Sequence, residues 1–477
     1  MHSSPVPIGA SHHMDHSSLS LHASPAASVR MSEVISSMSY ALDIVEGQPE
    51  GHAVRSCLLG MRLAETLGLG AQQRSDLFYA LLLKDLGCAS NAAKICYLFG
   101  ADDQTVKKDF KTTDWPKLTE TAKYILRNVA PGGTLLEKAK CFTSLALGGP
   151  KVARELVKIR CERGALIARS LNLNEDAVQA IRNLDEHWDG MGHPDGLRKN
   201  QIPLLARILS IAQTIEVYFT RDGLDAALAI AKERAGTWFD PSLVKALLSF
   251  RMDSAFWSTL QSDVPRRFLD VYEPEDRVVN ADDDVLDKIC AAFGQVIDAK
   301  SPWTACHSQG VSDIAVGIVS EQGLSPIEIR RTKRAGLLHD IGKLGVSNKI
   351  LDKPGKLDAV ELDLLKLHPA QTLRILERVG CFADFAEIAA SHHERLDGKG
   401  YFRGLDADQL CPSSRALVVA DMYEALAARR PYRKDLSDGE VHDILRRNLG
   451  DGICPRAYDA LLAFLSRTNY TTSSIAA

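Results

Sequence analysis

Five histidines and two aspartates in the second half of the chain have the types and spacing of a metal site: His307, His339, Asp340, His368, His392, His393 and Asp421. Imidazole and carboxylate are borderline-to-hard ligands, suited to Fe, Mn, Co, Ni or Zn. This many groups serve two ions when water or substrate fills the remaining positions. Adjacent His339 and Asp340 diverge by about 100° on a helix. A carboxylate has two oxygens, so Asp340 can bridge two metals while His339 serves one. A lone buried histidine is normally a satisfied core residue. Here five of the fourteen histidines fall in a window of about 90 residues, inside stretches that otherwise read as apolar. Burying that many ionisable rings without a cation is costly.

The elements that must position these groups read as helices. AVRSCLLGMRLAETLGL, RRTKRAGLLHDIGKL and ELDLLKLHPAQTLRILERV carry apolar residues at three- and four-residue spacing, the helical period. No sustained alternation between turn signals predicts strands. The expected fold is all-α. Residues 1–30 are rich in Ser, His, Pro and Ala without apolar periodicity, and are expected to be a disordered tail. The acidic stretch 272–284 divides a first domain, 31–271, from a second, 285–470.

The two halves resemble each other, which predicts two tandem helical bundles. His307 to Asp340 and His52 to Asp85 both span 33 positions, and His368 to His393 and Arg160 to Asp185 both span 25. LDGKGYFRGL at 396–405 matches WDGMGHPDGL at 188–197. Asp85 and Arg160 are 75 positions apart, against 28 between Asp340 and His368, so the first copy carries an insertion of about 47 residues near 97–150. The seven ligand positions become His52, Lys84, Asp85, Arg160, Leu184, Asp185 and Gln213. Leu184 cannot ligate. Lys84 and Arg160 bring positive charge where a cation would sit, and are expected to pair with Asp85 and Asp185. His187 and His193 read as loop histidines. The first copy is therefore expected to be regulatory, structural or dimer-forming.

HDIGKLG, KLHPAQT, SHHERLDGKGYFRGL and ADMYEALAARRPYR, in this order over roughly 300–435, resemble the HD-GYP branch of the HD phosphohydrolase superfamily. The resemblance implies an all-helical fold around a two- or three-metal centre, commonly iron or manganese, that hydrolyses cyclic dinucleotides, usually cyclic di-GMP. Carried onto this chain, it assigns one metal to His307, His339, Asp340 and Asp421, and the second to Asp340, His368, His392 and His393. Lys343 takes the place of a phosphate-facing lysine that works beside Asp340 in catalysis. Arg430 and Arg433 take the place of cations gripping substrate phosphates, a geometry arginine suits. Glu394 and Asp397 read either as partners orienting the histidines or as capping residues. Two departures stand out. Trp303 occupies the position of a third-metal glutamate, so two metals are expected. The GYP triplet reads Gly400-Tyr401-Phe402, and losing proline removes a φ restraint.

Composition narrows the partners. The net charge of −4 argues against a broad footprint for duplex nucleic acid. No apolar run reaches the roughly 18 residues of a membrane span. No basic segment leads into an apolar core at the N-terminus, and the ten cysteines lack framework spacing, so a cytoplasmic protein with reduced thiols is expected. The substrate the resemblance implies is cyclic di-GMP or 3′3′-cyclic GMP-AMP. A second copy of the chain and a protein docking at the Gly400–Phe402 loop are compatible partners. The competing readings are an HD-type phosphomonoesterase or nucleotidase, and an adaptor that binds nucleotide without turnover. The full ligand set argues against the adaptor, which needs no metals.

Overall fold

A computed structural model describes residues 29–110, 113, 117–262, 269–273, 280–304, 306–428 and 436–468. The architecture is all-α, as the periodicity predicts. Helix starts follow local chemistry. Ser325 and Glu328 form a capping box ahead of Pro326–Leu338, and Thr134 and Glu137 do the same for Leu135–Ser170. Each satisfies backbone N–H groups that a first helical turn leaves unpaired. The strand content among the described residues is one two-residue pair, Val29–Arg30 against Asn280–Ala281. Composition places residues 29 and 30 in the tail; instead they pair with the segment entering the second half. Residues 1–28 lie outside the described residues.

The halves are not two beads. Their buried side chains form one continuous apolar cluster, running from Val34 and Leu58 to Leu417 and Leu461. The exchange is reciprocal. The first helix, Met31–Val45, packs on His52–Leu67 of its own half and on Ile341–Gly345 and His368–Leu376 of the other. Asp283–Asp298 begins the second half and packs on His307–Glu321 of its own half and on Cys88–Asn91 and Leu135–Ser170 of the first. Each copy thus closes the bundle of its neighbour.

The expected insertion is helical. It contributes Asp103–Phe110, Leu118–Asn128 and the start of the 36-residue helix Leu135–Ser170. Ile95, Phe99, Val106, Tyr124 and Leu156 give it a small core of its own.

One backbone contact sets the site's dimensions. A Cβ added at Gly342 would lie 2.0 Å from the His368 carbonyl oxygen. The turn after Asp340 therefore meets the helix of His368 with no room for a side chain. The first copy repeats this at Gly87, where a Cβ would lie 1.9 Å from the Arg160 carbonyl oxygen. Thr372 staples the same junction: its hydroxyl donates to the His339 carbonyl at 2.8 Å and accepts the Gly342 N–H at 3.1 Å. Gly342→Ala is expected to destabilise by about 1–3 kcal/mol through overpacking, measured by chemical denaturation. Gly345→Ala, whose Cβ would make an ordinary 3.5 Å contact with Ile44, is expected to stay within about 0.5 kcal/mol of the parent.

Candidate metal centre

Each expected ligand sits at the end of an element or on a face turned inward. His307 opens the helix His307–Glu321. His339 caps Pro326–Leu338, and Asp340 follows it as the chain leaves the helix. His368 opens His368–Leu376, with Pro369 tolerated in the first turn. His392 and His393 lie in the turn after Ala383–Ala390. Asp421 lies within Pro412–Ala427. His307, His339, Asp340, His368 and His392 are all buried.

These residues converge in two groups, each with ligand atoms within 4.8 Å of one another: His307, His339 and Asp421, and His368, His392 and His393. Asp340 stands between them. Its Oδ2 lies 3.6 Å from His307 Nε2 and 3.4 Å from His339 Nε2. Its Oδ1 lies 3.4 Å from His368 Nε2 and 3.5 Å from His392 Nε2. One oxygen faces each group, as a bridging carboxylate requires. Asp421 Oδ1 closes the first group, 3.4 Å from His307 Nε2 and 3.8 Å from His339 Nε2.

The ring orientations suit ligation. His339, His368 and His392 each place Nδ1 at 2.7 Å from a backbone carbonyl, of Gly336, Leu365 and Ala389 respectively. A carbonyl only accepts, so Nδ1 carries the proton and the Nε2 lone pair points into the site. His307 uses the Glu424 carboxylate in the same way. His368 and His392 then aim two Nε2 lone pairs at each other across 2.9 Å. Two nitrogens about 2.0–2.1 Å from one metal and at right angles to it stand about 3 Å apart. Asp340 Oδ1 and His339 Nε2 are buried and have no hydrogen-bond partner. One orphaned acceptor thus stands in each ligand group, which fits a cation in each.

The electrostatics agree. Burial opposes ionisation of Asp340, but Lys343, His339 and His307 hold its carboxyl well below the usual range. Asp421 is lowered too, against burial, by His307 and His339. His368 is pushed well below the ordinary histidine value by burial and then Lys343, and His393 by burial and then His392. The site thus holds two carboxylates and, in the second group, His368 and His393 kept neutral, the states that bind metal. In the first group burial is outweighed at His307 by Glu424 and at His339 by Asp340, whose charges raise both imidazoles.

Lys343 places Nζ 2.5 Å from Asp340 Oδ2 and also lines a cleft of about 600 Å³ that opens at His307 and Asp340. Trp303, Lys300, Lys353 and Lys356 line the same cleft. Trp303 stands where the resemblance puts a third-metal glutamate, and among the described residues the ligand candidates of this half form the two groups above, with Asp340 between them. Arg430 and Arg433 lie outside the described residues. Glu394 and Asp397 behave as loop-capping residues. Glu394 accepts the Arg403 and Leu405 N–H groups at 2.9 and 3.0 Å, and Asp397 binds Arg395 and the Lys399 N–H.

Reading Phe402 as only a lost φ restraint is too weak. Its φ is 94°, a region the pyrrolidine ring closes to proline. Gly400 before it has no room for a Cβ, which would lie 2.5 Å from Glu394 Cα. Between them Tyr401 stacks on the His393 ring, centroids 4.6 Å apart. The loop therefore orients His393.

The first copy answers the same demand for charge with side chains. Lys84, fully buried, pairs with Asp85, and Arg160 pairs with Asp185, as expected from the substitutions. His52 still binds Glu216 through Nδ1, as His307 binds Glu424. Neither glutamate figures in the sequence reading. The available signal was their shared identity, three residues beyond Gln213 and Asp421 in both copies. The cavity beside Arg160 and Asp185 measures about 70 Å³, too small for a nucleotide.

Asp340→Ala is expected to lose both metals by elemental analysis. Asp85→Ala is expected to keep them and instead lose about 3–5 kcal/mol of stability, because Lys84 stays buried without its partner.

Comparison with known proteins agrees with this geometry. A family model described as HD domain matches residues 151–243 and 292–453, parts of both copies. The chain is 39% identical over 432 residues to 3′3′-cGAMP-specific phosphodiesterase 3 of Vibrio cholerae, covering 90% of this chain and 94% of that one. A cyclic di-GMP phosphodiesterase of Thermotoga maritima is 35% identical over 182 residues, covering 38% of this chain and 50% of that one. The crystal structure of a cyclic GMP-AMP specific phosphodiesterase from V. cholerae superposes with a TM-score of 0.62 at 35% identity, over 92% of this chain and 98% of that chain. With a family match over more than half its length and a relative that it spans almost end to end, the chain belongs to the HD-domain family, in its HD-GYP branch, and is a metal-dependent phosphohydrolase.

Proposed function

We propose that this chain hydrolyses a cyclic dinucleotide, with 3′3′-cyclic GMP-AMP the first candidate and cyclic di-GMP the second, to a linear dinucleotide or mononucleotides. The observation that carries the reading is Asp340, with one oxygen toward each of two ligand groups at the floor of a lysine- and tryptophan-lined cleft. A cleft of about 600 Å³ lies in the range of small-ligand sites, roughly 300–1,000 Å³. The preference for cyclic GMP-AMP follows the relative that matches over 90% of this chain.

His307, His339, Asp340 and Asp421 would hold one divalent ion, and Asp340, His368, His392 and His393 the other. Iron and manganese are the first candidates, with nickel, cobalt or zinc also suited to the donor set. When bound, the ions activate water and neutralise charge on the phosphoryl oxygens. The residues do the rest. Lys343 supplies a point charge at the reacting phosphate. Arg430 and Arg433 clamp the second phosphate. Trp303, 37% exposed at the cleft wall, offers an aromatic face for a base, and stacking of this kind contributes about 1–3 kcal/mol per base. Tyr401 keeps His393 in orientation. The degenerate copy closes the bundle around the catalytic one, and the protein works in the cytoplasm.

The test is to load anaerobically purified protein with iron or manganese, offer several cyclic dinucleotides and identify the products. Hydrolysis of 3′3′-cyclic GMP-AMP or cyclic di-GMP is expected. Turnover confined to phosphomonoesters would refute the reading. Trp303→Ala is expected to raise KM about tenfold or more, from the loss of stacking, with metal content unchanged.

A further inference from the structure

The cleft of the catalytic half is lined by that half alone, but its walls are braced by the other copy. The spacing between Asp340 and His368 leaves no room for a counterpart of the insertion. The insertion's helix Asp103–Phe110 instead docks beside the second half's site. Asp103 at its start is fully buried. Its Oδ1 accepts the Asn348 N–H at 3.0 Å. Its Oδ2 lies 3.3 Å from Lys300 Nζ and 3.7 Å from Lys107 Nζ. Gln104, next in sequence, donates from Nε2 to the Leu344 carbonyl at 2.9 Å.

Those contacts fall on the two segments that wall the cleft. Lys300, Ser301, Trp303 and Thr304 form one wall, and Lys343, Ile350, Leu351 and Lys353 belong to the other. Asn348 also joins them, its Nδ2 donating to the Lys300 carbonyl at 2.8 Å and to Asp352 at 2.6 Å. Ser301 adds a 2.6 Å hydrogen bond to Asp352. Lys300 and Lys107 are both buried; Lys107 also donates to the Cys88 carbonyl at 2.6 Å, so the carboxylate serves Lys300 above all. A buried ion that loses its partner is strongly unfavourable. Without Asp103, Lys107 keeps the Cys88 carbonyl, but Lys300 loses its carboxylate, and its wall loses its anchor. Trp303 is three residues from Lys300, and Lys343 five residues before Asn348. The Asp103 carboxyl, against its burial, is held below the usual range by Lys300 and Lys107, so it stays ionised in this role.

We infer that Asp103 is a positioning residue for the reaction of the second copy: from the insertion of the degenerate copy, it clamps Lys300 and the Lys343–Asn348 turn and so sets the substrate cleft. Asp103 lies outside both ligand groups, so its action is on substrate binding and not on metal retention. The inference rests on the cleft being the substrate's.

The full-length, metal-loaded protein tests it with Asp103→Asn, which removes the charge and keeps the shape, and with Gln104→Ala, a milder change at a half-buried residue. Metal content is read by elemental analysis, amide hydrogen exchange by mass spectrometry, and hydrolysis of 3′3′-cyclic GMP-AMP and cyclic di-GMP by steady-state kinetics. Asp103→Asn is expected to keep its metals, to speed exchange over 343–348 about tenfold or more while 383–393 is unchanged, and to raise KM about tenfold with kcat within about threefold. Gln104→Ala is expected to move exchange and KM in the same direction by less. Unchanged exchange at 343–348 in both variants overturns the clamp. So does an unchanged KM, or a loss of metal that accounts for the lost activity. If Asp103→Asn does not fold, Gln104→Ala alone decides on the same readouts. If the parent protein hydrolyses no cyclic dinucleotide, the substrate reading falls, and exchange at 343–348 decides whether the clamp exists.

Discussion

The structure turns on one buried carboxylate. Asp340 sits where water cannot solvate it, with two oxygens facing opposite sides. An ionised group so placed is tolerated only with positive charge close by. His307 and His339 approach one oxygen, and His368 and His392 the other. The imidazole protons are committed elsewhere, to backbone carbonyls and to Glu424. What remains is a set of lone pairs and carboxylate oxygens aimed at common points, which suits cations better than a hydrogen-bond network.

The first copy meets the same constraint in the other way available to proteins. Its Asp85 is equally buried, but the neighbouring residue is Lys84 and not histidine, and the ammonium supplies the charge internally. Arg160 does the same for Asp185. The scaffold around the lost site survives. The Gly87 contact, the His52–Glu216 pair and the Glu186 cap of its loop repeat Gly342, His307–Glu424 and Glu394. Structure outlasts chemistry here because these contacts also hold the bundle together, and removing them would open the shared core.

That shared core explains why an inactive copy is built into the enzyme. Met31–Val45 and Asp283–Asp298 each pack across to the other half, so neither bundle is complete alone. The insertion adds polar contacts to this apolar exchange. A second domain that were only a tether would leave the cleft walls to the catalytic half. Here the walls are joined by side chains from both.

Much of this was legible in the residues. The helical class follows from apolar periodicity, the duplication from matched spacings, and the ligand set from histidines and aspartates whose burial demands a partner. The pairings of Lys84 and Arg160 follow from charge alone. Other features were not legible, for physical reasons. Glu424 and Thr372 act through contacts with residues distant in the chain, and nothing in local sequence marks an orienting carboxylate or a stapling hydroxyl. Phe402 at positive φ depends on the loop around it and not on its own preference. The tail residues Val29 and Arg30 pair with a strand some 250 positions away, a non-local hydrogen bond that composition cannot report. Residue types alone show which groups could bind metal and which copy lacks them, because side-chain chemistry is carried by residue type. Tertiary packing settles which Asp340 oxygen faces which group, and that Asp103 of one copy braces the cleft walls of the other. Both depend on how helices far apart in the chain pack, and packing is a property of the whole core.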